Sequence, residues 1–186
     1  MNLSSYAELA VRLANTAAQA EGEPDVLGST DTCTQAFTDC ISGRVSRRDL
    51  AVLLYLRAEF TAIFNAAASG DDQAAISRLN ALLVQFPIQP ELVSHDDQRW
   101  HVHLAAQGAV SDRFAAGAII GLALVVSLYG VSRLGICAIA ACPRVFIDSS
   151  PNRSRRYCTE HGVRGTVSTL RTPPAVMPGH ATPAAS

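Results

Sequence analysis

Apolar side chains recur at the three- and four-residue spacing of amphipathic helices over roughly the first half of the chain. Breaks that contain glycine, serine or proline divide this stretch, and the pattern predicts helices over residues 4–18, 30–41, 46–68 and 72–86. Ser5 with Glu8, and Ser46 with Asp49, have the form of capping boxes for the first and third helices.

The period changes from helical to alternating after Pro87. Residues 91–94 and 100–104 alternate apolar and polar side chains around a turn at 95–97, which predicts a β-hairpin. His101 and His103 share one face of the second strand, a spacing that could hold a metal ion. Because no carboxylate or thiol partner is obvious nearby, we interpret this face as an exposed polar surface.

The most apolar run of the chain covers residues 115–128, between Arg113 and Arg133. It is shorter than the roughly 18–20 residues that a membrane-spanning helix needs. We therefore predict a buried helix of a soluble domain over about 111–130, capped by Ser111 or Asp112, and no membrane partner.

Charge is divided unevenly along the 186 residues. All fifteen cations are arginine, and the net charge of −1 combines a balance of −6 up to Ser132 with one of +5 from Arg133 onward. Such a split indicates that the basic end meets a polyanion, although that end could also pair with the acidic part of the chain. The N-terminus lacks the pattern of a signal peptide, so we expect a reducing, cytoplasmic location in which Cys33 and Cys40 are small buried hydrophobes.

The basic end also contains the pattern of a metal site. Four residues separate Cys137 from Cys142, fifteen residues follow, and two residues separate Cys158 from His161. Two short ligand pairs joined by a longer loop are typical of one structural zinc ion, with four protein ligands and no open position for catalysis. The alternative is three buried cysteines and a surface histidine.

Local sequence predicts how this segment folds. The residues 137–142 form a zinc knuckle, Val145–Ile147 a strand, 155–157 the returning arm of a hairpin, and a helix follows from His161 to about Leu170, an order that resembles a treble clef. Five arginines are predicted to bind nucleic-acid phosphates because guanidinium forks match phosphate oxygens: Arg153, Arg155, Arg156, Arg164 and Arg171. Some of them could instead pair with Asp148 or Glu160.

At these residues the sequence resembles the bacterial CGNR zinc finger family. The shared features are the second and third cysteines, the phenylalanine strand and the arginine stretch, namely Cys142-Pro143, Phe146, Asp148, Ser150, residues 152–156 and Cys158. Where the family has C-G-N-R, this chain has His161-Gly162-Val163-Arg164, and a histidine can ligate zinc in a cysteine's position.

The N-terminal part resembles the companion of that zinc finger, the ABATE-type domain. The matching segments are residues 13–16, 25–27, 57–70 and 79–83, so that the whole resemblance spans nearly all of residues 4–171. The resemblance implies a zinc-binding, DNA-binding transcription regulator. The charge split favours the same function, and the alternative is a zinc-stabilised protein–protein interaction module.

The sequence therefore predicts an α+β protein in three parts. These are a mainly helical domain with an antiparallel hairpin at 1–130, a small treble-clef-like zinc module at 133–171, and a disordered Pro- and Ala-rich tail at 172–186. We predict no enzyme, because phosphate-cradling loops, nucleophile elbows and HExxH motifs are missing. A homodimer through the N-terminal domain and a small-molecule effector are further possible partners.

Overall fold

The computed structural model describes residues 3–17, 24–41, 43–94, 101–104 and 108–164. The predicted tail and Arg171 lie outside these residues. The helices are α1 Leu3–Asn15, α2 Thr30–Ala36, α3 Arg47–Ala68, α4 Asp72–Gln85, α5 Val110–Tyr129 and α6 Thr159–Arg164. The strands are β1 Glu91–Val93, β2 His101–His103, β3 Leu134–Ile136 and β4 Val145–Ile147, and Val26–Gly28 and Val131–Arg133 form short 3₁₀ turns.

The capping box that the sequence predicts for α3 is confirmed. The Ser46 hydroxyl accepts from the Asp49 backbone N–H at 3.1 Å, and the Asp49 carboxylate accepts from the Ser46 N–H at 2.9 Å. The predicted box at Ser5 is wrong, because α1 already begins at Leu3. The predicted cap of α5 is confirmed for Asp112, whose carboxylate accepts from the Ala109 N–H at 3.2 Å, and is wrong for Ser111, which lies inside the helix with its backbone N–H donating to Asp49 at 2.8 Å.

The core of the N-terminal part forms where α1, α3 and α5 pack against one another. The side chains that α3 contributes are apolar and inward-facing, and they are fully buried at Leu53, Leu56, Phe60, Ile63 and Phe64. Helix α1 crosses α5 closely because α5 has glycine at 117 and 121. A side chain at Gly121 would lie 2.3 Å from the backbone nitrogen of Ala7, so only glycine fits there.

Two helices, Arg47–Ala68 and Val110–Tyr129, are long and apolar enough to cross a membrane by length and composition. Core helices of soluble proteins pass the same test. The side chains of α5 face this core at Phe114, Ile119 and Leu122, as the sequence predicts for a buried helix.

The first hairpin lies at the surface. Strands β1 and β2 pair antiparallel, with Leu92 opposite Val102, as the alternating pattern predicts. Leu92 is 67% exposed and Val102 45% exposed. The predicted turn at 95–97 and Trp100 lie outside the described residues, as do the side chains of His101 and His103, so the prediction for their polar face stays a prediction.

The second hairpin is built differently from the prediction. Strand β4 pairs antiparallel with β3, which precedes the knuckle, and not with the segment at 155–157. This pairing buries Leu134, Val145 and Phe146. The returning segment is held by single bonds instead: the Ala138 N–H donates to the Arg156 carbonyl at 2.8 Å.

The C-terminal module packs directly onto the helices. Leu134 and Val145 belong to the same apolar core as α1, α3 and α5. The Asn15 side chain at the end of α1 pairs with the edge of β4, because its amide nitrogen donates to the Val145 carbonyl at 3.0 Å and its oxygen accepts from the Val145 N–H at 2.8 Å. The helices and the C-terminal module therefore share one apolar core, and the predicted domain boundaries stay predictions.

Candidate metal centre and basic surface

The first pair of candidate ligands lies on the loop between β3 and β4. Cys137 directly follows β3, and its N–H donates to the Arg144 carbonyl at 2.9 Å, which closes the hairpin ladder. The chain then turns, with the Cys142 N–H donating to the Ile139 carbonyl at 3.1 Å. Ala141 has a positive φ of 68°, which completes the turn and brings Cys142 back towards Cys137.

The second pair lies at the start of α6. Cys158 precedes the helix, and its carbonyl accepts from the Gly162 N–H at 2.8 Å. His161 follows three residues later, and residues three apart in a helical turn lie on one side. The His161 Nδ1 atom is 3.3 Å from the Cys137 sulfur and 3.4 Å from the Cys158 sulfur.

The four side chains have the geometry of a small metal site. Their ligand atoms all lie within 4.8 Å of one another, and Cys137 and Cys158 are buried. Tetrahedral zinc, with bonds of about 2.3 Å to sulfur and about 2.0–2.1 Å to nitrogen, separates neighbouring ligand atoms by roughly 3.5–3.8 Å. Small adjustments of the cluster would therefore accommodate a zinc ion at its centre.

The pKa values of the Cys137 and Cys142 thiols are shifted in opposite directions. Burial opposes ionisation of Cys137, but backbone amides of Cys158 and Ile139 donate to its sulfur and lower its pKa to about 7. Burial and the negative charges of Cys137 and Cys158 raise the pKa of Cys142 to about 11. A divalent cation bound among these sulfurs would favour their thiolate forms.

A buried carboxylate organises the loop between β4 and Cys158. Asp148 is 5% exposed, and its carboxylate accepts from the Ser150 N–H at 2.8 Å, the Ser150 hydroxyl at 2.5 Å and the Arg155 N–H at 3.1 Å. Burial raises its pKa, but these hydrogen bonds and the charge of Arg133 outweigh burial and lower the pKa below its ordinary value. Asp148 therefore fixes the loop that carries the arginines.

The structure divides the predicted phosphate-binding arginines. Arg155 is used internally: its guanidinium donates to the carbonyls of Tyr157 and Ile147 and to the Thr159 hydroxyl, and it covers the Phe146 ring at 5.0 Å. Arg156 is exposed, and within the described residues its side chain has no hydrogen bond or ion pair. Arg153 is exposed and donates to the Ser132 hydroxyl at 3.2 Å.

The other arginines of the module have different positions. Arg144 pairs with Glu160 at 2.7 Å. Arg133 is largely buried and donates to the carbonyls of Asp148 and Ser150. The side chain of Arg164 lies outside the description, like the whole of Arg171, so both stay predictions as phosphate ligands.

Three supporting residues were missed by sequence reasoning. Asn15 holds β4, Arg133 holds the Asp148 loop, and Gly135 leaves room for the Phe146 ring, which lies 2.7 Å from where a side chain at 135 would begin. Asn15 is the one with a sequence signal, a polar amide at the C-terminal end of an otherwise apolar helix face. Its partner lies 130 residues away and is invisible to local patterns.

Two family models match the chain. Residues 7–129 match the ABATE family, with the description "putative stress-induced transcription regulator", and residues 133–172 match the CGNR zinc finger. Neither is an enzyme family, and no curated protein matches the chain significantly. The matches confirm the predicted resemblance. Together with the cluster of Cys137, Cys142, Cys158 and His161, the zinc finger match supports one structural zinc ion.

Proposed function

The chain belongs to the ABATE family and has a CGNR zinc finger at its C-terminal end, and from this membership we propose that it is a DNA-binding transcription regulator. The single observation that carries the proposal is the pair Arg153 and Arg156, two exposed cations on a loop that is fixed from both sides. Neither has a carboxylate partner among the described residues.

The local contacts suggest how the loop would be prepared for phosphate. Zinc, when bound, supplies a closed cross-link between the knuckle and α6. The Asp148 carboxylate holds the Ser150 and Arg155 amides, and the Arg155 guanidinium ties the loop to β4 and to Thr159. Arg153 and Arg156 then meet DNA from a rigid support, which lowers the entropy cost of binding.

The proposal revises the role of Arg155. Its guanidinium is occupied by three protein acceptors and an aromatic ring, so we assign it a positioning role and leave phosphate contact to Arg153 and Arg156. Contacts of this kind give affinity without sequence choice. Arg164 and Arg171 are kept as additional candidates.

The test is the salt dependence of DNA binding. Fluorescence anisotropy with a mixed-sequence 25-base-pair duplex would compare the wild type with a variant carrying Arg153→Gln and Arg156→Gln. Each phosphate contact contributes about 0.9 to the slope of log K against log salt, so the double variant should lower the slope by about 1.8. Arg78→Gln is the matched control, because Arg78 already pairs with Glu59 at 3.0 Å. An unchanged slope in the double variant would contradict the proposal.

The alternative function is a zinc-stabilised protein interaction module. It is favoured by Ile139, which is 39% exposed on the knuckle between two candidate ligands. Partner binding through this residue would be lost in Ile139→Ser and would depend little on salt.

The predictions on location, enzymatic activity, oligomeric state and effector are also part of the proposal. We propose a cytoplasmic location and no enzymatic activity, in keeping with two families that are not enzyme families. A homodimer through the N-terminal part and a small-molecule effector stay predictions. A cavity of about 460 Å³ between α1, the end of α5 and the Asp148 loop is the place to look for the effector first.

A further inference from the structure

A second group of arginines lies far from the zinc module, at the start of α3. Elsewhere in the N-terminal part, Arg12, Arg57 and Arg78 each pair with a carboxylate at 2.6, 2.7 and 3.0 Å. Arg47 and Arg48 are exposed and have no such partner within the residues that the structure describes. We call Arg44, Arg47 and Arg48 the α3 patch.

Three carboxylates lie near the α3 patch, and none of them forms a close ion pair with Arg47 or Arg48 in the part of the chain that the structure describes. Arg44 lies 3.7 Å from Asp31, but the two side chains are 89% and 81% exposed, so water and salt screen the pair. Asp49 is buried and bonded to Ser46 and Ser111, and Asp112 lines the same surface cavity as Arg48. Arg47 and Arg48 therefore face solvent without an ion pair among the described residues, and Asp49 and Asp112 are the carboxylates near them.

Helix stability does not account for this arrangement. Arg47 and Arg48 occupy the first turn of α3, whose N-terminal end carries the positive pole of the helix dipole. Cations are unfavourable there, and neighbouring arginines also repel one another. An anionic partner at the α3 patch would relieve both effects.

The α3 patch and the zinc module lie at opposite ends of α5. The Asp49 carboxylate accepts from the Ser111 N–H in the first turn of α5. This bond holds the N-terminal end of α3 beside the N-terminal end of α5. Arg153 donates to Ser132, just beyond the other end. A helix of 20 residues is about 30 Å long, close to the roughly 34 Å of one turn of B-DNA.

We propose that Arg44, Arg47 and Arg48 form a second phosphate-contacting surface that binds the DNA backbone about one helical turn away from Arg153 and Arg156. This inference rests on the proposed DNA-binding function. The balance of −6 over the residues up to Ser132 repels DNA from the rest of the helical part, so the α3 patch and the zinc module would together define the footprint.

The test uses the full-length, zinc-bound protein and the same 25-base-pair duplex. A variant carrying Arg47→Gln and Arg48→Gln should lower the salt slope by about 1.8, so that raising salt from 50 to 200 mM weakens the wild type roughly 12-fold more than the variant. Circular dichroism and zinc content should be unchanged, because both side chains are exposed. Arg78→Gln again serves as the control and should keep the wild-type slope.

The outcomes separate this inference from the function on which it rests. If the Arg153 and Arg156 variant loses slope while the Arg47 and Arg48 variant does not, DNA binding stands and the second surface is wrong. If the wild-type protein binds no duplex at any salt concentration, both proposals are wrong. Equal losses of slope in both double variants would support two surfaces of similar weight.

Discussion

The helical part and the zinc module are stabilised by different means. The largest fully buried side chains of the described residues all lie before Gly130, with Phe37, Phe60 and Phe64 among them. The module buries a few apolar groups, chiefly Leu134, Val145 and Phe146, and adds the Cys3His cluster and the hydrogen bonds of Asp148. A segment this small cannot gain enough from burial alone. The first region therefore depends on packing, whereas the second depends on a metal and on docking to the first.

Removing zinc should have the largest effect and should act on one region. Structural zinc contributes on the order of 10 kcal/mol in small zinc modules, so a chelator should unfold residues 137–164 while the helices α1, α3 and α5 persist. Hydrogen exchange with and without chelator would locate the change. Loss of protection throughout α3 and α5 at the same chelator concentration would contradict this division.

Filling the contact between α1 and α5 should strongly destabilise the helical part. Gly121→Ala places a carbon 2.3 Å from the Ala7 backbone nitrogen, and we expect a loss of about 3 kcal/mol in the free energy of unfolding. Gly117→Ala is the matched control, because there the nearest atoms belong to the Tyr6 and Leu9 side chains at 3.0 and 3.2 Å, which can move. Urea unfolding measures both, and equal losses would rule out the backbone contact as the cause.

The junction of the two regions can be weakened at Asn15. Asn15→Ala removes both hydrogen bonds to Val145 and leaves the N–H and carbonyl of a buried residue without partners, so we expect a loss of about 2 kcal/mol. Relative to the wild type, Asn15→Ala should accelerate hydrogen exchange more in β4 than in α3. Asn15→Asp keeps the acceptor for the Val145 N–H and should lose less. If Asn15→Ala leaves the free energy of unfolding unchanged, the apolar contacts alone suffice to dock the module on the helices.

Replacing Asp49 should have the smallest effect on the free energy of unfolding, and this effect should depend on pH. Burial opposes its charge, but hydrogen bonds from Ser46 and Ser111 outweigh burial and lower its pKa from 3.8 to about 2. A carboxylate whose pKa is lower in the folded than in the unfolded state stabilises the fold at pH values above its unfolded pKa. This stability is lost as pH falls through about 2. The free energy of unfolding of the wild type should exceed that of Asp49→Asn by about 1–2 kcal/mol at pH 7. This difference should shrink between pH 4 and pH 2. A difference that is independent of pH would contradict the ionised hydrogen-bonded state.

The sequence predicts the helical part well because the side chains that pack in the core recur at helical spacing along the chain. Helices α3 and α5, the hairpin β1–β2 and the four-residue group at 137–161 follow from apolar spacing, alternation and the cysteine pattern. The pairing of β3 with β4 could not be predicted, since Leu134 and Gly135 show no alternating pattern of their own. The positioning role of Arg155 was likewise hidden, because an arginine in a cationic run looks the same whether it faces solvent or covers the Phe146 ring.

We infer that the Cys3His cluster holds the zinc on which the module depends. Atomic spectrometry of purified protein tests it directly, beside His161→Ala and His161→Cys. We predict one zinc per chain in the wild type and in His161→Cys, which restores the cysteine of the CGNR box, and weaker retention against a chelator in His161→Ala. Absence of zinc from the wild type, or equal retention in His161→Ala, would contradict the account.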